Sequence, residues 1–234
     1  YLAIDEPDDD FAEQIGEGLA AGADQADIEL VGGETAVMPE VVKGLDLAGA
    51  CVGLADKDGI FDGAAEPGDT LVGWASSGIH SNGLTLARTA TTQEHEYTDS
   101  CPFDGYETIG EALLEPTRIY TDLLTPMRAH GVRGAAHITG GGWTNLQRLG
   151  DHRYVVDDPF DAQPAFDFVQ EQGNVSDAEM HTTFNMGTGF VAAVADDEAA
   201  ADLAAATDGR VIGHVEASND HDAGAGVSIR GLDL

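Results

Sequence analysis

A short stretch at residues 76–83, Ser-Ser-Gly-Ile-His-Ser-Asn-Gly, combines small polar side chains, glycines and one imidazole. It follows an apolar run at residues 70–75 that predicts a buried strand, and it precedes a predicted short helix at residues 84–88. The imidazole of His80 can exchange a proton near neutral pH. Backbone N–H groups at the start of a helix can hold an anion. The stretch therefore predicts proton transfer or phosphate binding.

The neighbours of His80 favour this interpretation over that of a packed, half-buried histidine, which is the commoner fate of a single His. Ser77, Ser81 and Asn82 can position a ligand through hydrogen bonds. Gly83 lets a ligand approach the backbone closely. We therefore expect these four residues to bind substrate or phosphate around His80.

Three other glycine-rich junctions border apolar runs, at residues 31–39, 137–142 and 185–189. Each alone is a weak signal, because tight turns commonly need glycine for positive φ. In the first, Glu34 follows two glycines. Its carboxylate is either a helix-start residue near the dipole, an oxygen ligand for Mg²⁺ or a partner for a substrate amine.

Two further features point to anion binding. The second junction ends in a candidate phosphate cradle ahead of a predicted helix; its residues are Thr139, Gly140, Gly141 and Gly142. Arg118 follows Pro116-Thr117 and either binds an anion or forms a structural ion pair. Neither a Cys/His spacing typical of zinc nor a Walker A motif occurs in the sequence.

The charge excludes some classes of partner. Asp and Glu number 43 against 10 Lys and Arg, giving a net charge of −33 spread along the whole chain. A whole-surface excess of acid favours adaptation to a salty cytoplasm, where ions screen self-repulsion. An acidic mimic of nucleic acid is less consistent with the glycine content and apolar periodicity. Without a basic patch, nucleic-acid binding is disfavoured.

Cysteine use and hydropathy predict a cytoplasmic protein. Cys51 and Cys101 have no disulfide or metal spacing, which is typical of a reducing compartment. No stretch is long and apolar enough to span a membrane, and no signal peptide is evident.

Predicted strands alternate with predicted helices, so the fold class is α/β, or interleaved α+β. The expected elements include strands at 28–31 and 45–54, a helix that Gly22 ends, and a helix over 118–130. The Gly-, Asp- and Pro-rich segment 58–68 predicts a domain boundary. We expect residues 1–64 to be the remainder of an N-terminal domain and residues 65–234 to be a C-terminal α/β domain.

Five motifs occur in order: Val-Gly-Gly-Glu-Thr-Ala-Val-Met-Pro at 31–39, the stretch at 76–83, Leu-Glu-Pro-Thr-Arg-Ile-Tyr at 114–120, His-Ile-Thr-Gly-Gly-Gly at 137–142 and Phe-Asn-Met-Gly at 184–187. Together they resemble the aminoimidazole ribonucleotide synthetase family, also called phosphoribosylformylglycinamidine cyclo-ligases, of purine biosynthesis. The resemblance covers nearly the whole chain.

This resemblance implies a two-domain ATP-binding synthetase fold, a homodimer formed by the N-terminal domains, and ATP with Mg²⁺. The implied reaction phosphorylates the formyl amide oxygen of formylglycinamidine ribonucleotide, after which an internal nitrogen closes the imidazole ring. Glu34 and His80 would lie at the active centre, Ser81 and Asn82 would position substrate, and residues 139–142 would hold a phosphate. Thiamine-monophosphate kinase and selenophosphate synthetase share the architecture and remain alternatives.

The sequence also departs from the family pattern. The family's glycine-rich N-terminal loop and upstream metal-binding aspartates are not in it, and Tyr1 lies within an apolar run that resembles the tail of a strand. We therefore expect this piece to lack much of the ATP and Mg²⁺ site and to be inactive alone. A non-catalytic binding module is the alternative of a different class.

Overall fold

The computed structural model of the protein describes residues 1–61, 63–218 and 225–234. These residues form two compact units. Unit 1 comprises Tyr1–Ile60 and Ile119–Asp122, and unit 2 comprises Phe61–Arg118 and Leu123–Leu234. The two domains predicted from sequence, residues 1–64 and 65–234, remain predictions, because these compact units do not test them.

Unit 1 contains a small three-stranded sheet and one long helix. Its elements are β1 (Leu2–Ile4), α1 (Asp9–Ala26), β2 (Thr35–Val37), β3 (Leu45–Leu47) and a 3₁₀ helix at Lys57–Gly59. The central β1 is buried and pairs with β2 in parallel and with β3 antiparallel. Asp8 caps α1 by accepting a hydrogen bond from the Phe11 N–H.

Three expectations for unit 1 are wrong. α1 continues past Gly22 to Ala26 and is followed by Asp27, which adopts the left-handed conformation that closes helices. No strand forms at 28–31, where Val31 is 97% exposed. The strand expected over 45–54 stops at Leu47, because its partner β1 offers only three residues to pair with.

Unit 2 is built on a seven-stranded sheet. Its strands are β4 (Thr70–Ala75), β5 (Val132–His137), β6 (Arg153–Val156), β7 (Thr188–Val194), β8 (Arg210–Glu216), β9 (Gly226–Ile229) and β10 (Leu232–Asp233). Their order across the sheet is β10-β9-β6-β8-β4-β7-β5. All neighbours are antiparallel except β6 and β9, which are parallel.

Helices connect these strands and confirm the mixed α/β class. They are α2 (Leu84–Thr91), α3 (Ile109–Leu113), α4 (Leu124–Ala129), α5 (Pro164–Gly173), α6 (Asp177–Thr183) and α7 (Asp197–Ala206), with 3₁₀ helices at Thr121–Leu123 and Gly142–Leu149. The α-helix expected over 118–130 is therefore wrong in its first half, since α4 begins only at Leu124. Proline has no N–H to donate within a helix, so Pro126 is tolerated in the first turn of α4.

Two apolar clusters hold unit 2 together. One lies against the sheet and includes Ile138, Trp143 and Leu146. The other lies among the helices and includes Ile79 and Phe184. Each cluster thus anchors residues next to the glycine-rich junctions, whose backbones are positioned by this burial.

The acidic residues lie at the surface. Asp69 is the only buried carboxylate in the described ranges, and it accepts hydrogen bonds from the Glu66 N–H (2.8 Å) and the Arg133 Nε–H (3.1 Å). None of the helices among the described residues combines the length and the apolar character that a membrane crossing requires.

Screening should stabilise a surface of this kind. With a net charge of −33, raising KCl from about 0.1 M to about 2 M shortens the Debye length to a few Å and weakens repulsion among carboxylates. We expect the Tm to rise by about 5–10 °C, measured by circular dichroism. A Tm that stays constant or falls across this series would contradict a salt-adapted surface.

Candidate functional site

Three glycine-rich junctions meet at one edge of the sheet in unit 2. β7 lies between β4 and β5 and runs antiparallel to both. The ends of β4 and β5 therefore lie at the edge where β7 begins. This arrangement brings together the junctions at residues 76–83, 137–142 and 185–189 within unit 2.

Asn185 connects two of these junctions from a buried position. Its Nδ2 donates to the Gly78 carbonyl (2.9 Å), and its Oδ1 accepts from the Gly187 N–H (2.9 Å). Gly83 also packs tightly here: it has φ +68°, and a Cβ would lie 2.2 Å from the Phe184 ring. The turn after His80 is thus fixed against the start of β7.

The junction at 138–142 is fixed by a second asparagine, Asn145. Its Oδ1 accepts from both the Thr139 N–H (3.2 Å) and the Thr139 hydroxyl (3.0 Å), and its Nδ2 donates to the Gly140 carbonyl (3.1 Å). A Cβ on Gly140 would lie 3.5 Å from Asn82 Oδ1. The structure therefore places the candidate phosphate cradle beside the candidate substrate-binding Asn82.

The candidate phosphate cradle at residues 139–142 does not present all of its N–H groups to a ligand. The N–H of Thr139 is engaged by Asn145, and the Gly142 N–H donates to the Thr139 carbonyl (2.8 Å). Gly141 has φ +98°, and the helix that follows is 3₁₀ rather than α. Binding of a phosphate by residues 139–142 stays a prediction. Within the described residues, the N–H groups of Gly140 and Gly141 make no main-chain hydrogen bond, so they are the candidate phosphate donors.

His80 is 3% exposed and adopts φ +58°, which is uncommon for a residue with a side chain. Its Nε2 lies 3.1 Å from the Ser77 amide nitrogen and 3.0 Å from Ser77 Oγ. Because an amide N–H can only donate, Nε2 accepts, and we assign the ring proton to Nδ1. The described residues offer the buried Nδ1 no hydrogen-bond partner.

The environment keeps His80 neutral. Burial, with a smaller contribution from nearby His137, lowers the pKa of His80 to about 4. The two rings lie edge to face with centroids 6.2 Å apart, and burial also lowers the pKa of His137. At neutral pH His80 is therefore an uncharged hydrogen-bonding group, which makes it a poor general base through Nε2.

The segment around Arg118 lies along the His80 turn. Ser77 Oγ donates to the Pro116 carbonyl (2.6 Å), and Ser81 Oγ lies 3.3 Å from Thr117 Oγ1. The Arg118 guanidinium donates to the Ala75 carbonyl (3.3 Å). This contact agrees with the structural interpretation of Arg118, while its binding of an anion stays a prediction.

A cavity of about 330 Å³ opens beside His80. Its wall is mainly apolar and comes from the His80 turn, α2, α3 and residues 114–117. The lining residues are His80, Ser81, Leu84, Ala87, Arg88, Tyr97, Gly110, Leu113, Leu114, Glu115, Pro116 and Thr117. A cavity of this size suits a small molecule with few polar groups to orient it.

Glu34 belongs to unit 1, immediately before β2. Its side chain is exposed, and its carbonyl accepts from the Leu2 N–H (2.9 Å). In the part of the chain that the structure describes, no group of three or more His, Cys, Asp or Glu residues could hold a metal ion. The roles of Glu34 at Mg²⁺ or at substrate therefore stay predictions.

Sequence inspection did not assign roles to Asn145 and Asn185. A signal for Asn145 was present: it is a polar residue among the apolar Trp143, Leu146 and Leu149 of one short helix. Asn185 lies in a glycine-rich junction that was recognised, but only the sheet order shows what its amide can reach.

Solved structures define the class of fold. The thiamine-monophosphate kinase of Stenotrophomonas maltophilia K279a superposes with a TM-score of 0.64 over 100% of this chain and 72% of its own, at 21% identity. Hydrogenase maturation protein HypE in complex with ATP gives 0.62 over 97% of this chain and 68% of its own, at 14% identity. At these identities the likeness shows the shared fold alone.

Sequence comparison gives the family. Residues 1–55 match the AIR synthase related protein, N-terminal domain, and residues 66–225 match the C-terminal domain. The chain belongs to the AIR synthase related protein family.

Curated relatives are similar over most of the chain. The phosphoribosylformylglycinamidine cyclo-ligase of Methanosarcina acetivorans is 45% identical over 92% of this chain. That of Methanopyrus kandleri is 46% identical over 92%, and that of Methanococcoides burtonii is 42% identical over 100%. The chain spans 65% of the length of the Methanosarcina relative and 68% of the Methanococcoides relative.

The two asparagines at the edge of the sheet should respond differently to truncation. Asn185→Ala leaves a buried carbonyl and a buried N–H without partners, so we expect a loss of about 2–4 kcal/mol in the free energy of unfolding. Asn82→Ala, at a half-buried side chain that makes no hydrogen bond with the residues the structure describes, should change the free energy of unfolding by less than about 0.5 kcal/mol. Urea unfolding measures both, and equal losses would contradict the role of Asn185.

Neutral His80 should make stability depend on pH. The pKa of about 4 in the folded state lies below the ordinary histidine pKa of 6.5, so the unfolded chain binds the proton first as pH falls. The depressed pKa of His80 adds to the free energy of unfolding above pH 6.5, and this stabilisation is lost as pH falls through 4. Its upper limit is about 3 kcal/mol.

We expect His80→Asn, which tolerates positive φ, to flatten the fall in stability over this pH range in urea unfolding. The exposed His214→Asn is the matched control and should follow the wild-type curve. Parallel curves for all three proteins would show that His80 is not held neutral by the fold.

Proposed function

We propose that the complete protein closes the imidazole ring of formylglycinamidine ribonucleotide in purine biosynthesis, using ATP. The observation that carries this proposal is the 42–46% identity to curated relatives named phosphoribosylformylglycinamidine cyclo-ligase. Identity at this level extends across both family domains. The thiamine-monophosphate kinase likeness is weaker support for a kinase, since it rests on fold at 21% identity.

The reaction needs positioning more than strong acids or bases. The formyl amide oxygen attacks the γ-phosphorus of ATP; the new P–O bond forms as the bond to ADP breaks. An internal nitrogen then attacks the activated carbon, the C–N bond forms and phosphate leaves with the amide oxygen. Phosphoryl transfer of this kind is accelerated mainly by orientation and by neutralisation of phosphate charge.

The residues around His80 suit the substrate side of this reaction. In our proposal Ser81 and Asn82 orient the ribonucleotide, with Ser77 and Gly83 shaping the turn. Within residues 139–142, the N–H groups of Gly140 and Gly141 bind a phosphate, since those of Thr139 and Gly142 already donate within the turn. Neutral His80 then acts through hydrogen bonds, because its pKa of about 4 leaves no proton to donate from Nε2 at pH 7. Arg118 stands beside this turn as a further candidate for charge neutralisation.

ATP and Mg²⁺ are the proposed cofactors, and the solved HypE relative of this fold is a complex with ATP. Mg²⁺ would neutralise the phosphates when bound, and Glu34 is the candidate carboxylate for it. The described residues include no group of three or more His, Cys, Asp or Glu that could hold a metal ion.

We further propose a homodimer formed through unit 1 in a salt-rich cytoplasm. Unit 1 exposes apolar side chains that water does not favour, with Val52 93% and Leu54 104% exposed. The net charge of −33 supports the salt-rich setting.

The proposal is tested with the complete gene product, ATP, Mg²⁺ and formylglycinamidine ribonucleotide. We expect release of ADP and phosphate only when that ribonucleotide is present. Thiamine monophosphate and selenide, assayed in parallel, should give no turnover. Turnover with either of these, or ADP release without any acceptor, would contradict the assignment.

Variants connect the activity to the site. Asn82→Ala and Glu34→Ala should each lower kcat/KM about 10²-fold or more while the protein stays folded. His214→Asn, at an exposed position of β8 that has no proposed role in the reaction, should leave kcat/KM unchanged. The 234-residue chain alone is predicted to be inactive; calorimetry with ATP and with a ribonucleotide phosphate would show whether it binds either as a non-catalytic module.

A further inference from the structure

A second cavity of about 330 Å³ lies in unit 2 and shares no lining residue with the cavity beside His80. Its wall combines aromatic and aliphatic surface with a guanidinium and an imidazole. The lining includes Trp143, Phe160, His181, Met186, Ile229 and Arg230. Nothing in the proposed ligase reaction uses these side chains.

Two glycines hold the walls of this cavity close together. At Gly142, with φ +55°, a Cβ would lie 2.1 Å from the His181 carbonyl oxygen. At Gly187, with φ +93°, a Cβ would lie 2.3 Å from the Asp161 carbonyl oxygen. A side chain at either position would clash with the facing backbone, so the chain segments around the cavity are packed closely against each other.

The guanidinium of Arg230 keeps capacity for an anion. Its Nη2 lies 3.4 Å from the Pro159 carbonyl and 3.8 Å from the carboxylate of Asp161, whose side chain is 95% exposed. An ion pair this exposed and this long contributes little and is readily exchanged. An acidic ligand group could therefore replace Asp161 at Arg230, with the two parallel hydrogen bonds that arginine favours.

A second cation supports the aromatic wall. Arg210 lies over the Phe160 ring, 4.4 Å from its centroid, and 3.6 Å from Asp158. Among the lining residues, the carboxylate is that of Asp177, which already accepts a hydrogen bond from Gln170 Nε2 (2.5 Å). Each carboxylate at the cavity thus has a protein partner.

Trp143 contributes to the wall of the cavity. It is fully buried, and the described residues give its indole N–H no acceptor. The Trp143 indole is therefore a probe placed beside the cavity, while Arg230 is the group that pairs with an acid.

We propose that this cavity binds a small organic anion in which a flat ring carries a phosphate or carboxylate group. The ring packs between Phe160, Met186 and Ile229, and the acid group pairs with Arg230. The volume is at the lower end for ligand sites, which fits a molecule of one or two rings. This binding does not depend on the proposed ligase reaction.

Indole signals in nuclear magnetic resonance test the proposal, because the protein has only two tryptophans. Trp74 is fully buried and donates to Thr207 Oγ1 (2.9 Å), so it serves as the internal reference. The probes are AMP, benzoate, adenosine and inorganic phosphate. We expect AMP or benzoate to shift the Trp143 signal alone, and adenosine and phosphate to bind at least about tenfold more weakly.

The two acidic probes distinguish the source of the anion. A shift with AMP only assigns a phosphate ligand, and a shift with benzoate only assigns a carboxylate ligand; either supports the proposal. No shift of Trp143 with any probe at millimolar concentration would overturn it, and so would equal binding of adenosine and AMP.

Three variants locate the ligand. Arg230→Asn, which tolerates the φ of +48° at this position, should weaken binding at least about tenfold. Asp161→Asn should tighten it, because it removes the competing carboxylate. The exposed Arg148→Asn removes the same charge outside the cavity and should have no effect.

The expected responses of these three variants also distinguish this cavity from the neighbouring junction of residues 139–142. A ligand bound there could shift the Trp143 signal but would be insensitive to Arg230→Asn. Unchanged affinity in Arg230→Asn, or weaker binding in Asp161→Asn, would therefore contradict the proposed site.

Discussion

The antiparallel pairing of β7 with both β4 and β5 decides which loops of unit 2 can meet. Register places Ala75 opposite Thr188 and His137 opposite Phe190. The residues just beyond these pairs are adjacent by main-chain geometry, before any side chain is considered. The glycine-rich junctions therefore share one edge of the sheet.

Amide side chains then convert this proximity into fixed positions. Asn185 and Asn145 each satisfy main-chain donors and acceptors that the turns would otherwise leave unpaired. They do so without adding charge, and burial keeps His80 uncharged as well. Neither the two amides nor neutral His80 therefore adds to the net charge of −33 at this edge, which limits the repulsion that an anion would meet there.

Local sequence predicted much of this arrangement. The apolar run at residues 70–75 predicted β4, and the glycine-rich signals marked the junctions that follow β4 and β5 and precede β7. The ordered motifs also indicated the family that the comparisons show.

What sequence could not give depends on contacts between distant segments. The order of strands in the sheet is one such property, and with it the partners of Asn185. Strand expectations failed at 28–31 and beyond Leu47, since a strand needs a partner as well as an apolar pattern. Glu34 lies in unit 1, and its part in the site remains a prediction.

Hydrogen exchange of the complete protein, with and without formylglycinamidine ribonucleotide, measures whether the junctions at this edge bind one ligand together. We expect the backbone amides of residues 76–83 and 139–142 to gain protection together, over the same range of ligand concentration. Protection confined to one of the two junctions, or found only elsewhere in the chain, would contradict a single substrate site at this edge.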